Sequence, residues 1–329
     1  MCTALTLTSK DGFHFFGRNM DIEYSFNQSV MFVPRNFEWE NNVSGESNKT
    51  KYALLGMGTL VDNHPLLADG MNEKGLACAG LNFLGFAHYE DHSIDGKVNL
   101  APYNLILWIL SNFESVSEVK SAIEEVNLVN KAFSSSLPVP TLHWMIYDKN
   151  DEAIVVEVTA ERFAVLDNKI GVLTNQPTFD WHIINLNQYM ALSPTQPEVT
   201  TWHKQQLEPI GSGLGLKGLP GDFYPSSRFV RSAFLKSHAA FLDTKESTIS
   251  EFFHILNNVA PIGGSVITKD GKNFVSLYSS CMCLEDGVYY YTTYNNNQIN
   301  AIDMFHENLD GHEIKVFEYK DTQSINFQN

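Results

Sequence analysis

The stretch Met1-Cys2-Thr3-Ala4-Leu5-Thr6-Leu7-Thr8, followed by Asp11-Gly12 and then Phe13-His14-Phe15-Phe16-Gly17-Arg18-Asn19-Met20-Asp21, decides how this chain is read. Leu5 and Leu7 alternate with Thr6 and Thr8, the period-two pattern of a half-buried strand. Asp11-Gly12 is a tight-turn pair, and Phe13 to Phe16 returns as a second strand. The hairpin predicted here brings Arg18 and Asp21 back beside Cys2. A cysteine directly after the initiator methionine becomes the terminal residue once Met1 is trimmed, and small second residues permit trimming. That residue then carries both a thiol and a free α-amine. A free thiol with pKa ~8.5 is mostly protonated at neutral pH, and an α-amine with pKa ~7.7–8.0 loses its proton when partly buried. One residue can therefore supply nucleophile and general base together. Arg18 is placed to hold the thiolate by charge, and Asp21 to orient the amine. Position alone leaves open an incidental second residue and a solvated charge pair at a strand end.

Composition narrows the class. A chain of 329 residues with 43% hydrophobic and 18% charged side chains reads as an ordinary globular protein of one large or two average domains. No apolar run approaches the ~20 residues a membrane helix needs. The opening residues lack a basic n-region, and Asp11 interrupts any apolar h-region, so a cytoplasmic chain without membrane contact is expected. The formal charge of −16 argues against nucleic acid, whose phosphates require a basic footprint. It also means that an anionic substrate would need local cations. Cys2, Cys78, Cys281 and Cys283 form no C-x-x-C and no zinc-type pairing with histidine. No metal and no cofactor is expected, and Cys78, Cys281 and Cys283 read as small buried hydrophobes.

Further along, Ser29 to Pro34 reads as a strand and the polar stretch 37–51 as an exposed loop. Tyr52 to Leu60 is a strand in which Gly56 and Gly58 mark a close backbone approach. Leu66 to Met71 and Leu76 to Asn82 flank a hairpin turn at Asn72-Glu73-Lys74-Gly75, leaving Asn82 at a strand end. Tyr103 to Phe113 is helical, and Ser115-Val116-Ser117-Glu118 fits a capping box opening a helix to about Val126. Thr141 to Tyr147 and Ala153 to Val158 form a hairpin. Phe163 to Leu166 and Ile170 to Leu173 read as a further strand pair, stopped at Thr174-Asn175-Gln176-Pro177 by the proline. Trp181 to Leu192 can be helical. The five glycines of 211–221 fit no phosphate-binding motif and read as an irregular, functional loop. Ser226 or Ser227 is expected to cap a helix to about Phe241. Arg228 then sits in its first turn against the macrodipole, a local conflict that points to function. Ser247 to Asn258 is a second helix. Val275 to Cys283, Val288 to Tyr294 and Ile299 to Met304 form a closing meander. The economical architecture is one α+β domain over 1–329: two antiparallel sheets face to face, covered on both sides by helices.

Cys2-Thr3-Ala4, Gly17-Arg18-Asn19-Met20-Asp21, Asn72-Glu73-Lys74-Gly75-Leu76 and Ala79-Gly80-Leu81-Asn82-Phe83 resemble the choloylglycine hydrolase family. So do Leu142-His143-Trp144, Gly171-Val172-Leu173-Thr174-Asn175, Gly218-Leu219-Pro220-Gly221-Asp222 and Ser227-Arg228-Phe229. The resemblance spans nearly the whole chain in order. It implies the αββα sandwich of N-terminal nucleophile hydrolases. It also implies a Cys2 nucleophile flanked by Arg18 and Arg228, an amine fixed by Asp21, and an oxyanion hole of the Asn175 side chain and the Asn82 backbone N–H. By the same resemblance, Met20, Leu60, Ala68, Phe133, Leu137 and Leu142 would wall the substrate pocket, and the protein would be a homotetramer.

The family includes bile salt hydrolases and penicillin V acylases. Asn82 resembles the first branch, so conjugated bile salts, cleaved to free bile acid plus glycine or taurine, are the expected substrates. Gly56-Met57-Gly58 and Asp222-Phe223-Tyr224-Pro225 look more like the acylase branch. Phenoxyacetyl-type amides are therefore the alternative, with N-acyl homoserine lactones behind them. A non-catalytic binder of such amphiphiles is the alternative from another class.

Overall fold

The Cys2–Thr8 strand pairs antiparallel with His14–Ile22, from Cys2 opposite Met20 to Thr8 opposite His14, as the alternation predicts. Two large antiparallel sheets grow from such hairpins in the computed structural model, which describes all 329 residues. The first has six strands in the order Val172–Leu173, Cys2–Thr8, His14–Ile22, Val275–Cys283, Val288–Thr293, Asn296–Asp303. The second has eight: Phe163–Asp167, Ala153–Val158, Leu142–Asp148, Leu76–Asn82, His64–Asn72, Leu54–Val61, Ser29–Val33, Lys315–Val316.

The sheets lie face to face. One apolar core holds Leu5, Phe16, Met71, Ala79, Met145 and Tyr289 from the two sheets, with Phe229, Phe252 and Leu256 of the helices Pro225–Ser237 and Lys245–Asn257. A second core lies on the outer face of the eight-stranded sheet, where Leu105–Asn112 and Val116–Ile123 bury Ile106, Ile109, Leu110 and Val119. Each such side chain contributes about 1.5–3 kcal/mol by leaving water, so both sheet faces are strongly specified. This is the αββα sandwich expected from the pattern.

The glycines mark where backbones meet. A Cβ on Gly17 would lie 2.0 Å from the Ser280 carbonyl oxygen, and one on Gly58 would lie 2.1 Å from that of Leu66. The close approach predicted at Gly56 and Gly58 is therefore real.

Several local expectations are corrected. Phe163–Asp167 and Val172–Leu173 are not partners: the first pairs with Ala153–Val158 and the second with Cys2–Thr8 in the other sheet. Two short apolar runs across three residues look like a hairpin. Here the Asn168 side chain accepts from Gly171 N–H at 2.9 Å and donates to the Val172 carbonyl at 3.1 Å, turning the chain from one sheet to the other. The stretch 37–51 is not simply exposed, because Phe37, Trp39 and Asn41 are buried and Glu38–Glu40 pairs with Ser47–Lys49. Neither Ser226 nor Ser227 caps the helix at Arg228: Tyr224 is the N-cap, Pro225 takes the first position, and Ser227 Oγ donates to Asp222 at 2.9 Å. The capping box at Ser115 is half made, since the Glu118 carboxylate accepts from Glu114 N–H instead. That helix ends at Ile123, and Val126–Leu128 is a short strand parallel to Val98–Leu100. The helix at 181–192 is shorter and starts earlier, Phe179–Leu186, followed by a 3-10 turn.

Candidate active site

Strand alternation sets the site. Cys2 and Ala4 share a sheet face with Met20 and Arg18 across the hairpin, whereas Thr3 shares the opposite face with Asn19 and Asp21. The Cys2 side chain therefore enters the space between the sheets with Arg18, and Asp21 lies on the helix side of the same strand end. Asn19 confirms the parity, its amide donating at 2.9 Å to the Leu256 carbonyl on the helix Lys245–Asn257.

Arg18 is fully buried and crosses to the other sheet, where Nη1 donates to the carbonyls of Ala68 (3.2 Å) and Gly80 (2.5 Å). These are neutral acceptors, so its charge stays available to the thiol. The nearby carboxylate, Asp69, is held by two phenols, Tyr278 at 2.6 Å and Tyr289 at 2.5 Å. Burial pulls the guanidinium down, but Cys2, Tyr278, Asp69 and Asp21 overbalance it and Arg18 is raised. Burial pushes the Cys2 thiol up. Arg18, the terminal ammonium and the Asn82 backbone N–H pull it down, Asp21 opposes them, and the net position is below the ordinary cysteine value. Cys78, Cys281 and Cys283 differ: burial raises all three, Cys283 to about 12. They behave as inert apolar side chains.

The backbone nitrogen of Cys2 is equally well placed. It donates to Asn175 Oδ1 at 2.9 Å, and Asn175 Nδ2 donates to the Asn82 carbonyl at 2.7 Å. Arg228, fully buried, donates to the Cys2 carbonyl, to Thr3 Oγ1 at 2.8 Å and to Asn175 Oδ1 at 2.6 Å. Its early position in the helix Pro225–Ser237 aims it back at the first strand, which is the local conflict seen in the sequence. Asp21 Oδ1 accepts from Ser276 Oγ at 2.5 Å, while Oδ2 is buried with no partner. Burial pushes the Asp21 carboxyl up against the pull of Arg228, the terminal ammonium, Ser276 and Arg18. The chain start lies alongside, Met1 N donating to the Asp21 carbonyl at 2.7 Å.

All six residues expected to do the chemistry thus meet at one strand end. Of the six expected pocket residues, Met20 faces Cys2, Ala68 touches Arg18 and Leu142 faces Asn82. Leu60 and Phe133 gather farther off, Leu60 opposite Pro65 and the Phe133 ring 5.4 Å from that of His64. Leu137 lies in the loop beyond, bonded to Ser134. All six are half-buried. Sequence reasoning missed Thr3, Ser276 and Asp69. Asp69 did carry a signal, a lone acid inside the apolar run Leu66-Leu67-Ala68-Asp69-Gly70-Met71. No group of three or more His, Cys, Asp or Glu is placed to hold a metal.

Residues 2–317 match the model of the linear amide C–N hydrolases, choloylglycine hydrolase family. This chain belongs to that family. Among curated choloylglycine hydrolase relatives, a bile salt hydrolase/transferase of Clostridium perfringens (strain 13 / Type A) is 56% identical over 329 residues, covering 100% of both chains. One of Lactiplantibacillus plantarum is 45% identical over 95% of each. A crystal structure of a variant conjugated bile acid hydrolase from C. perfringens superposes with a TM-score of 0.95 at 55% identity over 100% of both chains. A penicillin V acylase from Agrobacterium tumefaciens shares the fold, with a TM-score of 0.75 at 21% identity over 99% of this chain and 100% of that one. Family membership makes the chain a linear amide C–N hydrolase.

Proposed function

We propose that this chain cleaves the amide bond of glycine- or taurine-conjugated bile salts through Cys2, exposed as the terminal residue by loss of Met1. The observation that carries the reading is the position of Cys2. Its thiol lies with Arg18 and the Asn82 N–H, its nitrogen donates to Asn175 Oδ1, and a buried Asp21 oxygen at the same strand end has no hydrogen-bond partner. A buried carboxylate oxygen left unsatisfied costs ~1–3 kcal/mol or more, and an α-ammonium donating to it would remove that cost.

In the reaction, the α-amine takes the thiol proton and the sulfur attacks the amide carbonyl. The developing oxyanion sits between the Asn82 backbone N–H and the Asn175 amide. The ammonium returns its proton to the departing glycine or taurine nitrogen, leaving a thioester on Cys2. Water, deprotonated by the same amine, then releases the bile acid. Asp21 orients the amine, Arg18 holds the thiolate from the inter-sheet side, and Arg228 fixes Asn175 and the Cys2 carbonyl from the helix side. The sterol body is rigid and apolar, and Met20, Leu60, Ala68, Phe133, Leu137 and Leu142 offer it a largely apolar wall.

The bile-salt assignment rests on the names of full-length relatives. The glycines that favoured the acylase branch have a structural use at a strand-to-strand contact and say nothing about the acyl group. Rates on glycocholate, taurocholate and penicillin V decide: the conjugates should be cleaved fastest, and a penicillin V rate well above both overturns the assignment. No helix is long and apolar enough to cross a membrane. We place the protein in the cytoplasm, as one domain over 1–329 and as a homotetramer. The exposed Trp181, Ile184, Met190, Trp202 and Ile210 support association.

A further inference from the structure

Two arms form the proposed oxyanion hole, Asn82 from the eight-stranded sheet and Asn175 from the chain that has just left the six-stranded one. Both must hold their donors within a few tenths of an ångström. The residue lying between the two arms is His143. It is fully buried on Leu142–Asp148, opposite Leu81. Its Nε2 faces the carbonyl of Thr174, the neighbour of Asn175, at 3.2 Å. Its ring stacks on Phe83, the neighbour of Asn82, at 4.3 Å between centroids and 10° between planes. Its Nδ1 faces Glu157 Oε1 at 3.0 Å. Glu157 in turn accepts from the Phe179 N–H with both oxygens, at 3.0 and 3.1 Å, on the far side of the 175–178 turn.

The Thr174 carbonyl can only accept, so the ring donates Nε2–H to it, while Nδ1 is hydrogen-bonded to the Glu157 carboxyl group. Such a buried pair adds little to stability over apolar packing of the same volume, but it fixes direction strongly. His182 completes the clamp. Burial takes it down to about 4 against the pull of the Asn175 carbonyl, so the neutral ring donates Nε2–H to that carbonyl at 2.9 Å.

We infer that His143, locked by Glu157, is a positioning residue that ties the Thr174–Asn175 arm to the Asn82–Phe83 arm and so sets the width of the oxyanion hole. The inference rests on the assignment of Asn82 and Asn175 as that hole. His143 touches neither sulfur nor substrate, so its loss should slow the step that builds the oxyanion and leave the thiol itself alone.

The test compares His143→Phe, Glu157→Gln and Asn175→Ala in the processed enzyme. His143→Phe keeps the stack on Phe83 and drops both hydrogen bonds. Its kcat on glycocholate should fall at least about tenfold, a fraction of the 10²–10³ that removal of a whole donor costs. KM and the rate of Cys2 alkylation by iodoacetamide, which needs no oxyanion hole, should stay within about twofold. In Glu157→Gln the amide can accept from Phe179 and donate to a neutral ring whose Nε2–H still reaches Thr174. Glu157→Gln should therefore restore kcat to within about threefold of the parent. A parent-like kcat in His143→Phe, a parallel loss of alkylation, or a tenfold loss in Glu157→Gln overturns the strut. Where His143→Phe is not recovered folded, Glu157→Gln alone decides on that last criterion. If Asn175→Ala keeps the parent kcat, the hole assignment itself falls. If it loses 10²–10³ while His143→Phe loses nothing, only the strut falls.

Discussion

At the scale of the residue, one side chain is pulled two ways. Burial alone would leave the Cys2 thiol protonated and inert, as it leaves Cys78 and Cys281. Arg18 reverses that, because its hydrogen bonds go to carbonyls and leave its charge uncompensated by contact. Attack needs the thiolate, so the rate falls as pH drops through the thiol's pKa. Replacing Arg18 by Gln raises that pKa and should move the acid limb of kcat/KM to higher pH, with Cys2 alkylation moving alongside. An unmoved limb would show that Arg18 has no electrostatic part in the thiol. Asn175→Ala should lower kcat by about 10²–10³ with little change in KM, as for other oxyanion donors. The meeting of Cys2, Arg18 and Asp21 was legible in the predicted hairpin, whereas the parts given to Asn82, Asn175 and Arg228 came with the family resemblance. Ser276, which holds Asp21 from 255 positions away, was not legible: a serine in a strand carries no signal until the strand is paired.

At the scale of the element, the period-two pattern gave the hairpins and their register. It failed where a turn leaves one sheet for the other, because a strand run does not encode which edge it will join. The crossing at 168–171 depends on one asparagine side chain, and it is this crossing that delivers Asn175 to Cys2. Glycine marked the contacts better than apolar pattern did. Gly17→Ala would drive a methyl to 2.0 Å from the Ser280 carbonyl in the strand beside Arg18. It should cost about 2–4 kcal/mol, read as a fall in the denaturant midpoint. Gly12→Ala sits in open space at φ +94, so only backbone strain opposes it and about 1 kcal/mol is expected. Equal losses at the two sites would mean that strand contact is not what Gly17 serves.

At the scale of the whole molecule, the sandwich separates two tasks. The space between the sheets holds the thiol and the buried charges of Arg18 and Asp69. The helix side holds Arg228 and Asp21. The net charge of −16 repels anionic conjugates at long range, and salt screens that repulsion over ~10 Å at 0.1 M. Raising ionic strength should therefore increase kcat/KM for taurocholate modestly, about twofold, and a steep fall would locate the steering in a local cationic patch instead. The measurement that bears most directly on the account is the intact mass of the enzyme quenched during turnover of glycocholate. The protein should be shorter by the one methionine and carry the bile acyl group on Cys2. An active protein that still holds Met1, or an acyl group on any other residue, contradicts the account.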